Sequence, residues 1–483
     1  MDFIRYDASR SRRAFLTSAA SGLGFAALAS LLKNDRTFAT EPQSSTATAN
    51  PLAPQQPHFT PRAKNCIFIF LAGGTSHIEL FDPKPKLAEL SGQKVPQSFF
   101  KDQRFSFIKH DQALLMGSPF KYRRYGECGM EMSRLLPHIG GCADDIALIR
   151  SMNTDAFDHA PAEILFSTGI DVPWRPSAGA WLTYGLGSES ESLPGYVVLM
   201  TGRGPVSRSM TWGSGFLPTA HSGVLFRNQG EPVLNLSSPP GVTTDLQRAQ
   251  LDAIEFLNRE RYKHLRDPKI RSRIASYELA FKMQAAAPDL IDLRGETKHV
   301  HSTYGTDRIE ESGSFSVNCL LARRLVERGV RFVSIFHRRW DHHSKLQQRL
   351  QEGTRIVDQP IGAVLKDLKQ RGLLDSTLVV WGTEFGRTPV TQNTAPRPSA
   401  GRDHHRFGFT LWMAGGGVKG GQVIGKTDEL GWHATEDRVH INDFHATLLH
   451  LFGFDHHSLT YPFMGLDTRL TNLGGKIVKK LLD

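Results

Sequence analysis

The sequence predicts an α/β protein with a mainly parallel central sheet, and three observations carry that expectation. Short apolar runs without polar alternation recur along the chain: "NCIFIFLA", "DDIALIRSM", "GYVVLM", "GVRFVSIF", "STLVVWG" and "FGFTLWMAGGG". Such runs suit strands covered on both faces of a sheet. Between them, "SVNCLLARRLVERG" and "DQPIGAVLKDLKQRG" have helical apolar spacing and stop at Gly329 and Gly372, residues suited to the left-handed position that ends a helix. Carboxylate and imidazole side chains gather just after several of the runs, where sheets of this kind place their chemistry. With 483 residues, 40% hydrophobic and 22% charged, the composition is that of a folded globular chain, and one large domain behind a short leader is expected.

The leader is residues 1–40. Its segment "SRRAFLTSAASGLGFAALASLL" sets Arg12 and Arg13 before Phe15 and Leu16, followed by a mildly apolar stretch. It resembles a twin-arginine export signal, with a membrane anchor or a Sec signal as the alternatives. Gly22 and Gly24 weaken it as a permanent span. The expectation is therefore an exported, periplasmic protein whose only membrane contact is transient and made through this signal. Residues 41–62, with "TEPQSSTATANPLAPQQP", read as a linker rich in Pro, Ser, Thr and Gln. Cleavage after Ala39 and after Ala49 both remain open, and a chain starting near Pro57 is expected to keep full heat stability. The folded domain is expected over 63–483.

Within that domain the first run ends at Gly73 and Gly74, followed by Thr75, Ser76 and His77. "GVRFVSIF" leads to Asp341, His342 and His343; "STLVVWG" leads to Glu384 and Arg387; "GRDHHRFG" sets Asp403, His404 and His405 before the next run. Carboxylate oxygen with imidazole nitrogen is the donor mix of zinc, manganese or iron. An Asp beside a His is on its own a surface hydrogen-bonding pair, but the repetition at equivalent strand ends points to a shared site. Asp341, His343 and His404 are expected on one ion. The C-terminal "INDFHATLLHLFGFD" reads as a structural helix capped by Asn442 or Asp443, with His445 and His450 as hydrogen-bonding residues and not ligands.

Other chemistries are excluded. The four cysteines form no CxxC pair, so neither a thiolate zinc site nor a disulfide framework is signalled, and Cys66 and Cys319 read as core residues. The formal net charge of +10 draws anionic partners, yet no zinc-finger spacing or aromatic-basic repeat marks a nucleic-acid module. "GGQVIGKT" satisfies the Walker A pattern and "GGGVKG" satisfies GxGxxG, but the "DELGWHATEDRVH" that follows is no helix. Phosphate loops need that helix N-terminus, so the segment reads as a glycine-rich turn leading to a short strand. No G-x-S-x-G elbow is present.

Taken together, the leader, "FLAGGTSHIELFDPKP", "CLLARRLVERGVRFVSIFHRRWDHH", "LLDSTLVVWGTEFGRTP", "GRDHH", "WMAGGGVKGGQVIGKTDE" and "DFHATLLHLFGFDHHSLTYPFMG" closely resemble the DUF1501 family. That family is grouped with the alkaline phosphatase and sulfatase superfamily. The resemblance implies an alkaline phosphatase-like three-layer α/β/α sandwich and a metal-dependent hydrolase of phosphate or sulfate esters. By position it implies Asp341, His343 and His404 as one metal set, with Glu384 and Asp403 as candidates for a second. Ser76, or Thr75, falls in the nucleophile region, and Arg387 is a candidate anion clamp. Zinc is the first expectation for the divalent metal, with manganese, iron or calcium as alternatives, and the substrate an anionic ester such as a sulfated or phosphorylated glycan. Gly73 and Gly74 stand where many superfamily members carry a metal-binding Asp, so the second metal is either missing or held by Asp82. The C/S-x-P-x-R signature of formylglycine sulfatases is missing, which excludes that mechanism. A non-catalytic exported protein that keeps the fold to bind glycans or the envelope is the alternative, and a different metal-dependent reaction is a third reading.

Overall fold

The structure is a computed structural model that describes residues 52–482 apart from 97–99, 101–105, 109–111, 309–310 and 393–398. The leader and the first part of the expected linker lie outside the described residues. The strands of the central sheet and of the site, with the main helices, are in chain order β1 (Asn65–Ala72), β2 (Ile146–Asn153), α1 (His159–Thr168), α2 (Ala178–Leu186), β3 (Tyr196–Thr201), β4 (Val224–Phe226), α3 (Thr244–Leu265), α4 (Pro268–Ile291), α5 (Glu311–Glu327), β5 (Phe332–Arg338), α6 (Leu346–Gln370), β6 (Thr377–Gly382), β7 (Gly386–Arg387), β8 (His404–His405), β9 (Phe409–Ala414), β10 (Gln422–Ile424), β11 (Val439–His440) and α7 (Ile441–Leu451).

One nine-stranded sheet organises the chain, in the order β10-β2-β9-β6-β1-β5-β3-β4, with β11 also pairing with β2. Every residue of β1 is buried, as expected of a strand between two layers. Its side chains alternate: Ile67, Ile69 and Leu71 enter one core, and Cys66, Phe68 and Phe70 the other. Leu320 and Leu325 of α5 and Ile361 and Val364 of α6 close the first core. Phe166 of α1, Trp181 of α2 and Leu448 of α7 close the second. The result is a mainly parallel sheet with helices on both faces. The antiparallel member is β9, which runs against β2 and β6. Its run reads like the others in the sequence, because burial on both faces selects apolar residues whatever the strand's direction.

Several local expectations change in the folded chain. The helix expected near Asp358 begins earlier, at Leu346, and continues through Pro360. As expected, the glycine-rich turn leads to a short strand, β10, which runs parallel to β2. His440 is the residue at the cap of α7: its Nδ1 accepts from Asn442 N, and Asp443 accepts from His440 N. The end of the expected linker packs on the body, with Leu52 buried, Ser188 N donating to Leu52 O at 2.9 Å and Gln55 N donating to Leu186 O at 2.9 Å. A chain starting at Pro57 therefore loses contacts that the linker reading did not foresee.

Candidate metal centre

The sheet brings the strand-end residues together. His159 opens α1, beyond the end of β2, with Asp158 accepting from its backbone N–H at 2.9 Å. Asp341 and His343 follow β5, and His404 opens β8. One ligand atom from each of His159, Asp341, His343 and His404 lies within 4.8 Å of the others, the one such group among the described residues. Asp341 Oδ1 is the focus, at 2.7 Å from His343 Nε2, 3.3 Å from His159 Nε2 and 3.5 Å from His404 Nε2. His404 Nε2 and His343 Nε2 are 3.1 Å apart.

Neighbouring side chains divide between the interior and the centre. In the first cluster Asp341 and His343 point to it, while the intervening His342 is buried, with Nε2 2.8 Å from Arg339 O. In the second, His404 points to it, Asp403 lies behind His343 with Oδ1 4.0 Å from Nδ1, and His405 turns to Trp432 O. Glycine is required opposite: a Cβ on Gly73, whose φ is 126°, would lie 2.6 Å from Asp341 N. The backbone of 340–341 thus occupies the space that a side chain at 73 would need.

Each imidazole is held from behind by an oxygen. His159 Nδ1 is 2.7 Å from Glu384 Oε1, His343 Nδ1 is 2.5 Å from Gln392 Oε1, and His404 Nδ1 is 3.0 Å from Phe157 O. Acceptors in those places hold a proton on each Nδ1 and turn the Nε2 atoms inward, the arrangement of orienting partners behind metal-bound histidines. His159 Nε2 is buried without a hydrogen-bond partner. These donors fit a divalent cation of the zinc, manganese or iron type.

Burial penalises the Asp341 carboxylate, but His159, His343, His404 and Arg387 outweigh it and hold the group far below the usual carboxylate range. Burial likewise opposes protonation of His159, yet Asp341 and Glu384 raise it to about 9. His404 is lowered, chiefly by burial.

The remaining residues singled out in the sequence take supporting places. Glu384 is fully buried and accepts from Gly73 N at 2.8 Å as well as holding His159. Asp403 accepts from Phe107 N at 2.8 Å, Ile108 N at 3.1 Å and His404 N at 2.9 Å, so its oxygens are spent on backbone. Arg387 donates to Gly74 O at 2.8 Å, Arg402 O at 3.2 Å, Gly73 O and, at 2.6 Å, Asp341 Oδ1. Its guanidinium fixes Asp341 and the β1 turn. The Ser76 hydroxyl donates to Glu79, and Thr75 is buried with its N–H on Thr383 Oγ1 at 3.1 Å. Asp82 is tied to Lys84 at 2.9 Å and to Thr427. His159 escaped the sequence reading because it begins a helix and does not directly end an apolar run. "NTDAFDH", after the β2 run, carried the same strand-end signal.

Residues 63–482 match the profile of the family described as "Protein of unknown function (DUF1501)". No curated protein matches the chain. Among solved structures, it is similar to the lipoteichoic acid synthase LtaP from Listeria monocytogenes, at 10% identity and a TM-score of 0.36, over 86% of this chain and 76% of that one. The PsFucS1 sulfatase from Pseudoalteromonas sp. is 11% identical with a TM-score of 0.34, over 81% of this chain and 68% of that one. The alkaline phosphatase from the Antarctic bacterium TAB5 is 13% identical with a TM-score of 0.28, over 75% of this chain and 94% of that one.

Proposed function

Because the chain belongs to the DUF1501 family, whose description gives no reaction, we propose a function from its site: a metal-dependent hydrolase of phosphate or sulfate esters, exported by the route its paired arginines suggest. The observation that carries this reading is the set of three imidazoles, each held through Nδ1 by an oxygen, whose Nε2 atoms converge on Asp341. His159, Asp341, His343 and His404 would hold one divalent cation, with zinc first in line. Once bound, that ion would neutralise the oxygens of an anionic ester and polarise the bond to be broken. Arg387 keeps Asp341 in place. Glu384, Gln392 and the carbonyl of Phe157 keep the imidazoles turned inward. The net charge of +10 favours an anionic substrate, including a sulfated or phosphorylated glycan.

The commitment of the Ser76 hydroxyl to Glu79 favours a second reading, a metal-holding protein that binds such glycans without turnover. Metal analysis with aryl phosphate and aryl sulfate assays separates the two. The wild type should retain stoichiometric metal after dialysis and turn over one of the esters. His404→Ala and His159→Ala should each weaken metal binding on the order of a hundredfold, about 2.7 kcal/mol, while leaving the metal-free fold intact. Full metal content in both variants would remove the metal centre and the hydrolase reading with it.

A further inference from the structure

One apolar ring beside the candidate metal centre faces solvent. Phe107 lies in the connection between β1 and β2, and its ring stands nearly perpendicular to those of His343, at 5.1 Å between centroids, and His404, at 6.2 Å. It is nevertheless 59% exposed. Phe385 shows what a ring that only braces the imidazoles looks like: it packs on His404 at 4.5 Å and on His159 at 5.1 Å and is fully buried. Among the described residues, Phe107 is the one exposed aromatic ring in contact with a candidate ligand.

An exposed apolar residue on its own needs no explanation, but this one is pinned in place by groups of the site. The fully buried Asp403 accepts from Phe107 N at 2.8 Å and from Ile108 N at 3.1 Å, and the same carboxylate accepts from His404 N at 2.9 Å. Ser106 Oγ is 3.1 Å from His404 Nδ1. Residues 106–108 are thus fixed directly to the segment that carries a candidate ligand. The ring also stands where the centre opens: His343 keeps 23% of its side chain exposed, against 14% for His159 and 2% for His404.

We infer that Phe107 is a specificity-determining residue of this centre, a platform for the alcohol part of the ester, so that the preferred substrates carry a ring next to the charged group: an aryl group or the apolar C–H face of a pyranose. The inference rests on the reading of His159, Asp341, His343 and His404 as a metal centre for anionic esters. With the charged group at the imidazoles, the first ring beyond it falls beside a side chain that packs on those same imidazoles. An aromatic ring gains from covering apolar C–H groups and has nothing to offer a bare anion.

Calorimetric titration of the whole, zinc-loaded protein tests this with two pairs of uncleavable anions, phenylphosphonate against methylphosphonate and benzenesulfonate against methanesulfonate. In at least one pair the wild type should bind the phenyl member about tenfold more tightly, the size of one aromatic contact. Phe107→Ala should abolish that preference by weakening the phenyl member alone, with bound zinc and the unfolding midpoint unchanged, and Phe107→Tyr should restore it. Equal affinities within both pairs in the wild type, or no binding of any of the four, would overturn the inference. So would a loss in Phe107→Ala that the methyl member shares, since the ring would then only brace the imidazoles. Turnover of aryl phosphate and aryl sulfate judges the hydrolase reading separately: a protein that cleaves neither but keeps the Phe107-dependent preference loses hydrolysis and keeps this inference, and one that cleaves an ester without the preference does the reverse.

Discussion

Two charged clusters flank the turn after β1, and they differ in what remains to be bound. At the candidate metal centre, four nitrogens from three histidines and Arg387 crowd around Asp341, whose side chain keeps 35% of its surface open. A few residues away, Glu79 and Arg402 form an ion pair at 2.5 Å with both side chains fully buried. Arg402 also donates to Thr388 O at 3.1 Å and Met116 O at 2.8 Å, and Ser76 gives its hydroxyl to Glu79. The second cluster is saturated. The first turns three Nε2 atoms inward around one carboxylate oxygen. Saturation marks a structural pair, and unspent donors in an open place mark a site. "GRDHH" contributes to both, with Arg402 in one cluster and His404 in the other.

The largest expected effect lies in the saturated cluster. Arg402→Met leaves the Glu79 carboxylate buried without its partner and should destabilise the fold by about 3–5 kcal/mol, read from urea unfolding. A loss below about 1 kcal/mol would mean that the pair is solvated and that the contrast fails.

The histidines extend the comparison to pH. His445, fully buried on α7, is lowered to about 4 by burial, whereas His159, facing two carboxylates, is raised. A histidine with a depressed folded pKa stabilises above its unfolded value near 6.5, and that stability is lost as pH falls toward 4. His445→Leu should therefore flatten the acid side of the stability profile, removing about 3 kcal/mol of the change between those pH values. Parallel profiles for wild type and variant would show that His445 does not resist protonation.

The smallest effect sharpens the metal side. Gln392→Ala removes the oxygen behind His343 and should weaken metal binding about tenfold, while Ser76→Ala, in the saturated cluster, should leave metal affinity unchanged. Equal losses from both would merge the two clusters into one network.

Much of the fold was legible because burial on both faces writes itself as uninterrupted apolar runs, and the six runs singled out all became strands of the central sheet. The candidate ligands Asp341 and His343 were legible for a related reason: parallel strands end at one edge, so polar residues just after them share a rim, which His404, just before β9, reaches because β9 runs the other way. The antiparallel course of β9 was not legible, since a strand's direction leaves no mark on residues that are buried either way. Nor were the separate fates of His342 and His343, or of Asp403 and His404, because only the packed partners fix which of two neighbouring side chains enters the site. The sequence by itself determined the layers, the strand ends and the kinds of donor. The tertiary structure alone decided that His159 joins them, that Ser76 and Arg387 are occupied from within, and that Glu384 stands behind a histidine. Those outcomes depend on distances between segments far apart in the chain, and no local pattern of residues encodes them.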